Sequence, residues 1–336
     1  MNANDNKNSI HNLGSHPVPN GMKILVTGGA GFIGSALAQK LFKDGHEVVV
    51  IDNFTAYYDV NLKRDRVKTF LEGIEVVEGD IMDETFLDAL FAQHDFDVVC
   101  HLAGNAGVRY STEYPGENVD VNVRGTINVY EAMKKYGVKR MVFASSSSVY
   151  GVDTQSPFTE DAPADRPVSI YGSTKRACEL NAFTYYQLAG IETTCLRFFT
   201  VYGPWSRPDM AMLKFAQLMT AGKPIDVYNN GDLRRDFTHI SDIVEGFALA
   251  VEKPLGYEII NLGRGESTEL LKYIELLEKV LGVTAIKNMM PMQDGDVFET
   301  FADTTKAKEL LGFTAKMPID EGVQTFGDWY KEYYLK

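Results

Sequence analysis

The segment Met22–Gly34 reads M-K-I-L-V-T-G-G-A-G-F-I-G, and few folds accommodate it. The apolar run Ile24–Val26 leads directly into glycines at 28, 31 and 34. S-A-L-A-Q-K-L-F then follows, with apolar residues at helical spacing. The order is strand, tight turn, helix. Gly28 suits the turn, Gly31 puts no side chain between the backbone and a diphosphate, and Gly34 lets helix and strand pack closely. The unpaired N–H groups at the helix start then face an anion. Glycine triplets are common, but here V-V-V-I-D follows, placing Asp52 eighteen residues after Gly34 at the end of the next apolar run. A carboxylate there accepts hydrogen bonds from a ribose diol and repels a 2′-phosphate. The next residue is Asn53 rather than arginine, so the pattern predicts NAD in preference to NADP.

Short apolar runs continue to alternate with helical patterns. Strands are predicted at 74–78, 97–101, 139–145 and 193–198, with helices near 61–72, 83–93, 118–136 and 171–188. That alternation belongs to an α/β protein of Rossmann type, a doubly wound parallel sheet covered on both faces. Ligands of such sheets sit at the carboxyl ends of the strands. Gly28, Asp52, Asp80, His101–Gly104 and Ser145–Ser148 all fall there.

Beyond residue 200 the pattern changes. V-Y-G-P-W-S-R-P-D-M is a Pro/Gly-rich loop. A helix near 209–221, a strand at 225–228, a turn at 229–232, and a strand and helix over 236–244 follow. A strand at 257–262, helices near 267–281, 304–311 and 318–334, and a loop at 291–299 complete the chain. The expected organisation is a disordered leader over residues 1–21 and an NAD-binding domain over 22–197 with about 236–260. A smaller, discontinuous α/β substrate lobe would span 198–235 and 261–336.

Composition narrows the partners. Lys+Arg 33 against Asp+Glu 46 gives a net charge of −13, a surface that repels nucleic acid and anionic membranes. An anionic substrate then requires local arginines. Cys100, Cys178 and Cys195 are far apart, with no C-x-x-C, as expected of buried free thiols in a reducing compartment. No apolar run reaches the ~20 residues of a membrane span, and the Asn-rich leader has no signal-peptide core. A cytoplasmic protein is the expectation. The six histidines show no metal-ligand spacing, and His101, at the end of a buried strand, reads as structural.

Tyr171 and Lys175 form Y-x-x-x-K at the start of a strongly helical stretch, four residues apart and therefore on one face. A free tyrosine ionises near pH 10 and is a poor base at neutrality, but a nearby ammonium and an oxidised nicotinamide both favour the phenolate. Tyr171 is thus a candidate general base for a sugar hydroxyl. Ser146, twenty-five residues earlier in A-S-S-S-S-V-Y-G, can hydrogen-bond the same oxygen, although four serines also suit a strand-end turn.

T-G-G-A-G-F-I-G, H-L-A-G, S-S-V-Y-G and Y-x-x-x-K in this order resemble the extended short-chain dehydrogenase/reductase family, over about residues 22–335. Within it D-N-F-T-A-Y-Y-D-V-N-L-K, A-G-V-R-Y-S, R-F-F-T-V-Y-G-P-W-S-R-P-D-M-A and D-G-D-V-F-E-T-F-A-D-T resemble the UDP-glucuronate 4-epimerases. Gly104-Asn105 stand where that group usually has Ala-Gln, and Ser206 where it usually has Gly. The resemblance implies Tyr171, Lys175 and Ser146 as the catalytic set, with Lys175 also on the nicotinamide ribose. It implies Asp80 and Ile81 beside the adenine and Phe198 beside the nicotinamide. Phe32, Ile33, Asn53, Leu102, Ala103, Gly104 and Asn122 would complete the cofactor site. Arg207 and Arg235 would bind the UDP diphosphate, and Gln293 and Asp296 the uridine ribose end. A homodimer formed through the helices near 118–136 and 171–188 is also implied.

The implied reaction removes the 4-hydroxyl proton and the hydride at that carbon, turns the flat 4-keto sugar over, and returns the hydride to the other face. Related dehydratases and decarboxylases carry an acidic residue before V-Y-G, where this chain has Ser147 and Ser148, which favours simple inversion. A 4-keto uronate is a β-keto acid prone to losing carbon dioxide. Ser147, Ser148 and Thr200 are the candidate neutral donors that hold its carboxylate. Arg109 is a candidate for the uronate, the diphosphate or a structural ion pair. Three competing readings are inversion of a neutral or N-acetylated UDP-hexose, decarboxylation or dehydration, and a non-catalytic NAD-binding regulator. The intact Tyr171, Lys175 and Ser146 argue against the last.

Overall fold

The computed structural model describes residues 21–292 and 297–336. The expected leader, Gly21 apart, lies outside the described residues, as do Gln293 and Asp296. Seven strands build the central sheet: β1 (Lys23–Thr27), β2 (Glu47–Asp52), β3 (Glu75–Glu78), β4 (Val98–His101), β5 (Arg140–Ser146), β6 (Glu192–Phe198) and β7 (Tyr257–Leu262). Their order is β7-β6-β5-β4-β1-β2-β3, and every pairing is parallel. This is the Rossmann-type doubly wound arrangement expected from the sequence. The strand order reverses between β1 and β4, which opens a crevice at their carboxyl ends.

Successive side chains point to opposite faces, and both faces are covered. Ile24, Val26, Val48, Val50, Val98 and Cys100 pack with the helices Phe32–Lys43 and Ile240–Glu252. Leu25, Val49, Ile51, Val99, Met141 and Phe143 pack with the helices Glu84–Gln93, Gly125–Tyr136 and Ile170–Ala189. Burial on both sides is why V-V-V-I reads as an unbroken apolar run rather than an alternating one.

The helix expected over 118–136 is interrupted. Pro115–Val119 and Gly125–Tyr136 are α-helical, and Asp120–Arg124 between them widens into a π-turn. The Asn122 carbonyl accepts from Thr126 Oγ1 at 2.5 Å and from Cys178 Sγ at 3.2 Å, so side chains serve it at the widened turn. Such bulges gather at functional sites.

Outside the central sheet the strands are short. Thr200–Tyr202 pairs with Phe237–His239, Ile225–Val227 with Lys287–Met289, and Arg234–Arg235 with both Thr268–Glu269 and Glu299–Thr300. Helices Ala211–Thr220, Leu270–Leu281 and Ile319–Tyr334 close a second apolar core around Tyr202, Leu213, Phe237, Tyr273, Ile274 and Phe326.

Candidate active site

A cleft of about 430 Å³ follows the carboxyl ends of β1, β2, β4, β5 and β6. Gly28, at its base, has φ +69°, and a Cβ there would lie 2.8 Å from the Ala103 nitrogen, so the turn after β1 and the loop after β4 touch through bare backbone. At Gly34 a Cβ would lie 2.4 Å from the Gly28 carbonyl oxygen, and only glycine lets the helix start so close to the turn. Thr27 Oγ1 stitches the same junction. It accepts from the Leu102 and Ala103 amides at 3.2 and 3.1 Å and donates to His101 Nδ1 at 2.7 Å.

Thr126 already donates to the Asn122 carbonyl, so its hydroxyl accepts from His101 Nε2 at 2.9 Å. His101 is therefore the neutral tautomer protonated on Nε2. Burial first, and Lys175 second, hold its pKa down to about 3. His101 braces the H-L-A-G loop, the structural role expected of it.

Asp52 ends β2 almost fully buried. Oδ2 accepts from the Ala30 amide at 3.1 Å, and Oδ1 from the Phe54 amide at 2.8 Å and Lys63 Nζ at 2.9 Å. The expected cofactor residues Gly28, Gly31, Phe32, Ile33, Gly34, Asp52, Asn53, Asp80, Ile81, Leu102, Ala103, Gly104 and Phe198 all line this cleft. Asn53 Nδ2 donates to Asp80 Oδ2 at 3.0 Å, which ties the ends of β2 and β3. Asn122 is not among the lining residues. Its Oδ1 accepts from the Asn105 amide at 2.7 Å and its Nδ2 donates to the Asn105 carbonyl at 3.1 Å, so it shapes the loop behind the cleft. The bare Gly28–Gly34 turn, the helix N-terminus and the acceptor Asp52 fit a dinucleotide.

At the other end, Ser169 caps the helix Ile170–Ala189 by accepting from the Gly172 amide at 3.0 Å. This places Tyr171 in the first turn and Lys175 one turn later, both on the cleft. Lys175 is buried, donates to the Ala144 carbonyl at 3.0 Å, and lies 6.0 Å from the Tyr171 ring centroid. Ser146 Oγ accepts from the Ser148 amide at 3.1 Å, so the catalytic candidate also caps the Ser147–Val149 turn. Ser147, Ser148 and Thr200 line the same wall. Beneath it Glu179 is sealed from solvent. It accepts from Ser145 Oγ (2.6 Å), Arg176 Nη1 (3.0 Å), and Arg197 Nε and Nη2 (2.8 Å each), while Arg197 Nη1 has no partner.

The arginines separate. Arg207 lines the cleft, its Nε and Nη2 both on Asp209 at 3.0 Å, and Tyr57 donates to the same carboxylate at 2.9 Å. Arg109, in the short helix Val108–Glu113, stands outside the lining with its guanidinium 6.0 Å from the ring of Tyr228 in the turn Tyr228–Gly231. Arg235 is also outside the lining and donates to the Arg234 and Phe298 carbonyls. Gln293 and Asp296 lie outside the described residues. Arg66, fully buried, was not anticipated. It donates to the Ala30 carbonyl on the glycine turn and to the Trp205 carbonyl, two residues before Arg207. Lys63, Tyr57 and Phe199 also join the lining unforeseen.

Among the described residues no group of three or more His, Cys, Asp or Glu could hold a metal ion. All three cysteines are free and buried, and burial raises each thiol pKa above its ordinary range.

Comparison with known proteins agrees with this geometry. The chain is 42% identical over 311 residues to a UDP-glucuronate 4-epimerase of Thermodesulfobacterium geofontis, covering 92% of this chain and 96% of that one. It is 41% identical to a probable UDP-glucuronate 4-epimerase of Rhizobium meliloti, with 94% and 98% covered. Among solved structures, the UDP-glucuronic acid 4-epimerase of Bacillus cereus, in complex with UDP-glucuronic acid and NAD, superposes with a TM-score of 0.87. It has 36% identity and covers 93% of this chain and all of that one. Residues 24–263 match the model of the NAD dependent epimerase/dehydratase family, and the chain belongs to that family.

Proposed function

We propose that this protein inverts the 4-position of a UDP-hexuronic acid, interconverting UDP-glucuronate and UDP-galacturonate. The observation that carries the reading is the convergence of Tyr171, Lys175 and Ser146 on one wall of a dinucleotide-type cleft with no carboxylate at residues 147 and 148. NAD, when bound, supplies the hydride acceptor and returns the hydride. Tyr171 takes the proton of the sugar 4-hydroxyl. Ser146 hydrogen-bonds that oxygen, its own hydroxyl proton having no acceptor among the described residues. Lys175 places a positive charge beside the phenol. Ser147, Ser148 and Thr200 offer neutral donors to the sugar carboxylate and no acid to drive elimination. Arg207 is the diphosphate ligand, its two forked donors already in the geometry a carboxylate or phosphate accepts. Arg235, Gln293 and Asp296 form the uridine end.

The chain divides into an NAD-binding lobe on the sheet and a UDP-sugar lobe on the second core. Leu180, Phe183 and Leu188 are exposed on the helix Ile170–Ala189, and Val119 on the helix before the π-turn. These apolar side chains support a homodimer formed through those helices. No helix among the described residues is long and apolar enough to cross a membrane. With three free thiols and a nucleotide-sugar substrate, a cytoplasmic site of action fits.

The test is incubation of the purified protein with UDP-glucuronate, UDP-glucose and UDP-N-acetylglucosamine separately, with chromatography of the nucleotide sugars. UDP-galacturonate should form, and Tyr171→Phe should abolish its formation while bound NAD is retained. Turnover of the neutral sugars alone would transfer the reading to a hexose epimerase.

A further inference from the structure

We infer that Lys63 is a second ligand of the adenosine ribose and that, with Asp52, it sets the choice between NAD and NADP. This rests on the cofactor assignment above. Lys63 lies one turn into the helix Val60–Phe70, whose N-cap Asp59 accepts from the Asn61 amide. A lysine on such a helix ordinarily reaches solvent, yet Lys63 is only 6% exposed and lines the cleft beside Asp52. Its ammonium has three donors. One is used on Asp52 Oδ1 at 2.9 Å, and Nζ makes no second hydrogen bond among the described residues. The Tyr58 ring, 5.7 Å from Nζ, packs against it.

Asp52 and Lys63 thus present an acceptor and a donor side by side at the end of β2. A ribose cis-diol matches both, since each hydroxyl donates to a carboxylate and accepts from an ammonium. The pair also changes the account of cofactor choice. The expected exclusion of a 2′-phosphate by Asp52 is charge repulsion, but the site holds a cation as well. Asp52 excludes the phosphate because it occupies that cation. Neutralising Asp52 would leave a buried ammonium facing the position that a 2′-phosphate fills.

The experiment is equilibrium binding of NAD and NADP to cofactor-stripped protein, followed by fluorescence. Wild type, Lys63→Gln, Lys63→Met, Asp52→Asn and Asp52→Asn/Lys63→Gln are compared. Gln keeps a neutral hydrogen-bond donor on a stem one bond shorter, so it removes the charge with less loss of volume and polarity than Met does, and thermal melting reports on folding. Lys63→Met should weaken NAD about tenfold. Asp52→Asn should shift the NAD-to-NADP affinity ratio about a hundredfold toward NADP, with the NADP affinity falling as salt rises. Lys63→Gln in that background should erase the gain and its salt dependence, an outcome that a merely structural lysine would not produce. Unchanged NAD binding by folded Lys63→Met, or a NADP gain that survives Lys63→Gln, overturns the inference. A wild-type protein that binds neither dinucleotide overturns the cofactor assignment and this inference with it.

Discussion

Replacing Glu179 by glutamine should cost the fold about 4 kcal/mol, although the side chain keeps its size. The carboxylate receives four donors, two on each oxygen: Ser145 Oγ and Arg197 Nε on Oε1, Arg197 Nη2 and Arg176 Nη1 on Oε2. Glutamine retains one carbonyl oxygen and turns an NH₂ group toward the other two donors. Arg197 is then a cation at 1% exposure, with Nη1 already unpartnered and the Tyr150 ring 4.6 Å from its Cζ. Burial works against its charge, and Glu179 is what holds its pKa above the ordinary arginine value. A loss of about 3–5 kcal/mol is what breaking one side of a buried pair costs, a large part of the roughly 5–15 kcal/mol that holds a domain folded. Removing both charges in Glu179→Gln/Arg197→Met should recover at least half of that loss. Urea unfolding followed by circular dichroism measures each variant. A single-variant loss under about 1 kcal/mol, or a double variant that loses the sum of the two singles, would refute the reasoning.

Two further outcomes follow from the same geometry. His101 and His239 are held neutral, mainly by burial, at about 3 and about 4, below the free imidazole, so only the unfolded chain takes up their protons as pH drops below about 6.5. Stability therefore falls on acidification, by about 2 kcal/mol per histidine between pH 7 and pH 5. His101→Gln and His239→Gln should each flatten that dependence in urea titrations, and an unchanged slope would exclude the cause. Gly28→Ala forces a Cβ to within 2.8 Å of the Ala103 nitrogen at φ +69°. It should lower the NAD that co-purifies at least tenfold, measured by absorbance after denaturation, while the sheet melts as a unit.

The fold was legible where periodicity and punctuation agreed. The strand–turn–helix at Gly28–Gly34 and the unbroken runs of β2, β4 and β5 are local signals, because burial on both faces removes any alternation. Of the two- and three-residue strands from Thr200 onward, those at Ile225–Val227 and Phe237–His239 were legible, whereas Thr200–Tyr202, Arg234–Arg235, Thr268–Glu269, Lys287–Met289 and Glu299–Thr300 were not, since pairing with distant segments makes them strands. The site was readable to the same degree. Asp52, Asp80, Leu102, Ala103, Gly104 and Ser145 to Ser148 at the strand ends line the cleft, whereas His101 is buried outside its lining. Lys63 and Arg66 escaped notice because charged residues on a helix normally signal a solvated face. Their trace in the sequence is that they fall with Leu62 on the buried stripe of Val60–Phe70. The partner of Arg207 turned out to be Asp209, two residues on, a pairing set by loop conformation rather than spacing.

Arg66 joins the Gly-rich turn to the Trp205 backbone through a single rigid guanidinium. A fully buried side chain thereby fixes the spacing between that turn and the loop carrying Arg207, like a spacer bar between two jaws. A change that slides one jaw acts on the other through this bar, so the glycine turn and the Arg207 loop keep a common frame of reference.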